Sequence, residues 1–218
     1  MKTGKSPGVD GVGIELIKEA GEKCAETVLK ILNKCWREGT VPEEWGRTEI
    51  VPIYKKRGDS GDCSNYRGIA LLNHITKLYE RMIERRLRER VEPLLGEEQH
   101  GYRKGRGTTD LIFCLRQVLE KSWEFDLGVD IVFIDLQKAF DSIPRTCLWR
   151  CLRNDFGIAG RLLRAVKSLY EACECTVHTE HRNEKWFTVK TGVKQGSVLS
   201  PLLFIAYIEK VIQNFKIE

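Results

Sequence analysis

Residues 129–135 read VDIVFID, a near-continuous apolar run opened by the turn signal DLG at 126–128 and closed by an aspartate. A short run of this kind reads as a strand buried on both faces. Burial on two faces requires covering layers, so the run predicts a sheet with helices packed against it. It also poses a problem, because a buried carboxylate such as Asp135 is costly unless a cation or hydrogen bonds compensate it. Open α/β sheets place ligand groups at the carboxyl ends of their strands, and magnesium accepts one or two carboxylates together with phosphate oxygens and water. Asp135 is therefore a candidate metal ligand, its alternative being a cap for the following loop. Asp141, just ahead of Pro144, reads instead as the N-cap of the next helix.

The flanking pattern supplies the layers. Apolar residues Ile14, Ile17, Cys24, Val28, Ile31 and Cys35 recur at helical spacing over 14–36, and Gly39 and Pro42 stop that helix. TEIVPIY at 48–54 and YRGIALL at 66–72 form a predicted hairpin around the turn-rich RGDSGDCSN, and a long amphipathic helix covers 75–91. Thr108 or Thr109 caps a further helix ending near Trp123. After the 129–135 strand come helices from Pro144 to before Gly157 and over 160–170, then a hairpin over 176–190 turning at 182–185. Ser200-Pro201 supplies the N-cap and first-turn proline of a last helix carrying Leu203, Tyr207, Val211 and Phe215. The whole is an α+β layer fold, a sheet with helices on one face, in one large domain or two small, closely packed ones.

The net charge of +5 says little by itself, but KKRGD at 55–59, RMIERRLRER at 81–90 and YRKGRG at 102–107 concentrate basic residues before residue 110. Such clusters are solvated faces or phosphate-binding surfaces. No apolar stretch approaches the roughly 18 residues of a membrane span, and no secretory leader opens the chain. With eight cysteines and no CxxC pair, the expected setting is the reducing interior of a cell, nuclear or cytoplasmic. CECTVHTEH at 173–181 is a poor zinc site, since on a strand Cys173 and Cys175 face one side and His178 the other. GKS at 4–6 lacks the earlier glycine and the strand of a P-loop. Ser197 and Ser200 lack the pattern of an activated nucleophile.

FIDLQKAFD at 133–141 resembles motif A of reverse transcriptases, specifically those of retrotransposons without long terminal repeats. KSPGVDG, IVPIYKK, SNYRGIALLN, EQHGYRKGRGTTD and GVKQGSVLSPLLF resemble further elements of the same family, in the family's order and across nearly the whole chain. The resemblance implies a right-hand polymerase fold, with fingers and their connection over 1–125 and a partial palm over 126–218. It implies nucleotidyl transfer on an RNA template and a DNA primer, with dNTP as substrate and Mg2+ as cofactor. Asp135 then matches the aspartate that binds both catalytic metals, and Leu136 matches a backbone-carbonyl ligand. Phe140 matches the aromatic gate that excludes a ribose 2′-hydroxyl. Arg67, with Lys55 or Lys56, matches the fingers residues that contact the triphosphate, and Gln195 and Gly196 match the pair lying against template base and nucleotide.

The family's motif C hairpin, with its paired aspartates, and the thumb have no counterpart in this sequence. The expectation is thus a truncated domain with an incomplete metal site, inactive in primer extension by itself. An exposed strand edge at motif A is expected to favour self-association. The alternatives are a non-enzymatic nucleic-acid-binding descendant or a maturase-like relative.

Overall fold

The computed structural model describes residues 1–178 and 185–215, and its sheet begins with the predicted hairpin. Strands β1 (Arg47–Tyr54) and β2 (Tyr66–Leu71) pair antiparallel, with Ile53 opposite Arg67. The loop between them is closed by its own side chains. The Tyr54 hydroxyl donates to the Gly58 carbonyl at 2.5 Å, the Asn65 amide to Asp59 at 2.8 Å and the Tyr66 hydroxyl to Ser60 at 2.9 Å. These bonds satisfy backbone carbonyls that no ladder reaches.

The second hairpin is also present, as β3 (Glu174–Val177) antiparallel to β4 (Phe187–Thr188), while its turn lies outside the described residues apart from Lys185. The two hairpins join through a parallel pairing of β1 with β3, giving one mixed sheet in the order β2-β1-β3-β4. Arg47 and Glu174, opposite each other at the start of that pairing, form an ion pair at 3.1 Å.

Seven α-helices accompany the sheet among the described residues: α1 (Ile14–Glu19), α2 (Gly21–Glu38), α3 (His74–Val91), α4 (Thr108–Glu124), α5 (Arg145–Asn154), α6 (Gly160–Glu171) and α7 (Ser200–Phe215). The single helix predicted over 14–36 is broken, because Gly21 takes the left-handed φ of +72°. Ile31 consequently stands 37% exposed and Leu32 takes the inward place. On α3 the buried residues Tyr79, Ile83, Leu87 and Val91 recur every fourth position. They pack into one core with Leu148 and Leu152 of α5, Val166 of α6 and Leu203 of α7. Each such aliphatic side chain contributes about 1.5–3 kcal/mol by leaving water. No strand residue belongs to this core, although Thr48 and Ala70 of the first hairpin and Cys175 and Thr176 of the second are buried.

Three capping expectations are corrected. Pro144, not Asp141, holds the N-cap position of α5, with no side-chain bond there, because residues 138–142 close a tight turn of their own. Gly107 precedes α4, and Asp110 reaches back to accept its amide at 2.8 Å, so neither threonine is the cap. At α7 the Ser197 hydroxyl accepts from the Leu199 and Ser200 amides at 3.1 and 3.3 Å, while the Ser200 hydroxyl lies 3.2 Å from that of Tyr170.

The strand predicted over 129–135 is absent. That segment is irregular, with Val132, Phe133 and Ile134 exposed by 82%, 82% and 81%. A strand exists through its partners, and no described strand pairs with this segment. Helix α4, just before it, likewise buries no residue and leaves Trp123 89% exposed. No helix among the described residues is long and apolar enough to cross a membrane. All eight cysteines are unpaired.

Candidate active site

A cleft of about 670 Å³ lies between the β1–β2 hairpin and the turn that follows residue 135. One wall carries Lys55, Arg57, Asn65, Tyr66 and Arg67; the other carries Asp135, Leu136, Lys138, Phe140 and Asp141; Gln195 also lines it. Six residues singled out in the sequence therefore meet in one place: Lys55, Arg67, Asp135, Leu136, Phe140 and Gln195. Lys56 does not line the cleft, and its backbone takes a left-handed φ of +58°. Gly196 stands behind Gln195 and outside the lining. Asp135 is present at the cleft, but on an exposed irregular segment and not at the end of a buried strand.

Local structure explains how these groups are held. Lys55 is fixed as the hairpin closes, its amide donating to Asn65 and its ammonium to the Ser64 carbonyl, at 2.8 and 2.9 Å. Arg67 follows on β2, where its backbone pairs with Ile53, while its guanidinium makes no hydrogen bond or ion pair with the described residues and is left available. On the opposite wall the Lys138 carbonyl accepts from the amides of Asp141 and Ser142 at 2.9 and 3.0 Å, and from the Ser142 hydroxyl. The turn presents Phe140, whose ring stacks on Phe204 of α7 at 4.8 Å between centroids, with Tyr102 edge-on to both.

The segment 189–198 ties the two walls together. Val193 and Gly192 donate to the Phe140 and Ile143 carbonyls, both at 2.8 Å. The Gln195 carbonyl accepts from Ala70 of β2 at 2.7 Å. Gly196 has φ +120°, and a Cβ there would stand 2.5 Å from the Ala70 carbonyl oxygen, so only glycine allows this approach. Beneath the turn, Glu80 of α3 accepts from the Ser197 hydroxyl and the Val198 amide, each at 2.9 Å.

The charges in the cleft are unequal, with Lys55, Arg57, Arg67 and Lys138 against Asp135 and Asp141. Four cations around two carboxylates suit a polyanion that brings a divalent cation with it. Among the described residues no group of three or more His, Cys, Asp or Glu side chains could hold a metal alone. Asp135 and Asp141 are the two carboxylates that line the cleft, a number that suits magnesium when phosphate oxygens and water complete its shell. Near the sequence's cysteine cluster, burial and the adjacent Cys173 push the Cys175 thiol up to about 11, and His178 bonds to Glu49 at 2.5 Å. Sequence reasoning missed Lys138, Asn65, Tyr66 and Glu80, and had Arg57 only as part of the basic cluster at 55–59. Lys138 carried a signal, as a cation between two residues of the same stretch that also line the cleft.

The sequence model of the family described as "Reverse transcriptase (RNA-dependent DNA polymerase)" matches residues 53–218. The probable RNA-directed DNA polymerase from transposon BS of Drosophila melanogaster is 28% identical over 217 residues, covering 93% of this chain and 22% of that protein. The RNA-directed DNA polymerase from mobile element jockey of the same species is 28% identical over 210 residues, with 93% and 22% covered. The retrovirus-related Pol polyprotein from type-1 retrotransposable element R2 of Popillia japonica is 27% identical over 212 residues, with 95% and 28% covered. This chain thus spans between 22% and 28% of the length of these relatives.

Proposed function

Because this chain belongs to the reverse transcriptase (RNA-dependent DNA polymerase) family, we propose that its cleft holds a deoxynucleoside triphosphate against an RNA template and a DNA primer. The observation that carries this reading is the convergence of Lys55, Arg67, Asp135, Phe140 and Gln195, from four separated stretches, on one cleft. In this reading residues 1–125 are fingers and their connection, and 126–218 part of a palm.

Arg67 and Lys55 neutralise the triphosphate, the guanidinium giving two hydrogen bonds to one phosphate. Phe140, held flat on Phe204, offers its ring to the sugar and leaves no room for a 2′-hydroxyl. Gln195 and Gly196 lie under the base pair that forms. Asp135, with the Leu136 carbonyl, would hold magnesium, joined by phosphate oxygens and by Asp141, which also lines the cleft. When bound, the metal supplies the charge that activates the primer 3′-hydroxyl and stabilises the leaving pyrophosphate. The unpaired cysteines support an intracellular setting. The strand edge expected at motif A is not formed, since 129–135 is no strand; self-association is supported instead by the exposed apolar residues of 129–134, and concentration-dependent sedimentation is its sign.

Two outcomes test the reading on this chain. Equilibrium titration of dGTP into chain bound to template–primer is expected to weaken about 10–100-fold in Arg67→Ala, and Arg67→Lys recovers only part of it. Equal dGTP affinity in wild type and Arg67→Ala removes the triphosphate from that wall. The ratio of GTP to dGTP affinity is expected to rise roughly 10-fold or more in Phe140→Ala; an unchanged ratio means that Phe140 is only a packed ring.

A further inference from the structure

We infer that Glu80 is the positioning residue for the nucleotide side of the cleft, holding the turn that presents Gln195; this rests on the reading of the cleft given above. Glu80 is 1% exposed, on the inward face of α3, and its acceptors face the stretch just after Gln195 and Gly196. The Ser197 hydroxyl and the Val198 amide each donate to its carboxylate at 2.9 Å. Ser197 has no freedom to turn elsewhere. Its oxygen already accepts from the Leu199 and Ser200 amides, and a hydroxyl has two acceptor sites and one proton. That proton therefore goes to Glu80.

The buried carboxylate faces a cationic neighbour. Burial pushes the Glu80 carboxyl up from its ordinary range, and Lys194, the Val198 amide, Ser197 and Lys77 oppose that shift. Lys194 is itself 8% exposed, and its ammonium has no hydrogen-bond partner among the described residues. It lies 5.8 Å from the centroid of the Tyr170 ring. A carboxylate placed here costs desolvation, and removing either charge of such a pair leaves the other uncompensated. From the other side, the Gln195 carbonyl is fixed by Ala70 of β2. The turn is thus suspended between β2 and α3, with Gln195 projecting into the cleft.

Glutamine is the discriminating substitution. Its oxygen can accept from Ser197 or from Val198, but its NH2 then meets a group with no acceptor to offer. Lys194→Met is paired with it so that no unmatched ammonium is left behind. In the 218-residue chain bound to template–primer, Glu80→Gln/Lys194→Met is expected to weaken dGTP binding about tenfold, with template–primer affinity within about twofold of wild type. Ser197→Ala, which deletes only the hydroxyl, shifts the same quantity in the same direction and serves if the double variant fails to fold. Leu87→Ala, a packing loss on the same helix, lowers the melting temperature and leaves dGTP affinity unchanged.

Gln195→Ala separates the two levels of the proposal. If Gln195→Ala weakens dGTP binding while both the Glu80 pair and Ser197→Ala match wild type, the positioning role is overturned and the cleft reading stands. If dGTP does not bind the wild-type chain, or Gln195→Ala leaves its affinity unchanged, the cleft reading falls and the positioning role with it. Weakening by Leu87→Ala as large as that by Glu80→Gln/Lys194→Met reduces Glu80 to a structural part of α3.

Discussion

Replacing Asp135 by alanine is expected to lower magnesium-dependent primer extension more than about a thousandfold in any polypeptide that contains this chain and extends a primer. A thousandfold corresponds to about 4 kcal/mol of transition-state stabilisation, within what a metal-held charge supplies at a phosphoryl centre. The folded state should scarcely notice the change. Asp135 is exposed and lies on a segment without regular structure, so its loss removes no packing, and the melting temperature should stay within a degree or two. The combination is diagnostic: activity collapses while stability holds. Retained incorporation by the Asp135→Ala protein would exclude the residue from the metal site and leave Asp141 as the cleft's carboxylate.

The second large effect is on stability. Gly196→Ala is expected to destabilise the chain by about 2–4 kcal/mol, read as a lowered urea midpoint with unchanged slope. Two costs combine. A φ of +120° lies where L-residues rarely go, and the new Cβ would press to 2.5 Å from the Ala70 carbonyl oxygen. That oxygen belongs to a strand backbone paired with Ile50, so it cannot swing aside like the end of a side chain. Relief would require breaking the bond from Ala70 to Gln195, which is itself a wall of the cleft. Gly196→Ala with native stability would show that the turn has a second, equally good conformation.

What could be read from the residues alone was whatever is encoded locally. The β1–β2 hairpin and α3 follow from alternation, turn residues and helical periodicity, and the structure has both. Lys55, Arg67, Phe140 and Gln195 were found because each sits in a recognisable stretch. The strand expected at 129–135 failed for the opposite reason: an apolar run records a preference, but pairing needs a neighbour. Capping by Asp141 failed because the tight turn at Lys138 claimed the local backbone first. Glu80 was hidden in KLYERMIERRLRER, where it looks like one more charge on a charged helix. Its signal was positional, since it shares the stripe of Thr76, Ile83 and Leu87, the face that turns inward. Nothing local announces the parallel pairing of β1 with β3, which no turn connects.

That pairing has a consequence for the order in which the molecule comes into being. Arg47 and Glu174 are 127 positions apart. A chain made from its amino end releases β1 and β2 as a finished hairpin while the third strand does not yet exist. From the end of β2 at Leu71 to the start of β3 at Glu174, at about 5–20 residues per second, the interval is roughly 5–21 s. Throughout it the inner edge of β1 presents unpaired amides and carbonyls, open to any other extended segment in reach. Gln195 arrives later still, so the cleft closes only once that stretch has been made, and its two walls are strangers until then.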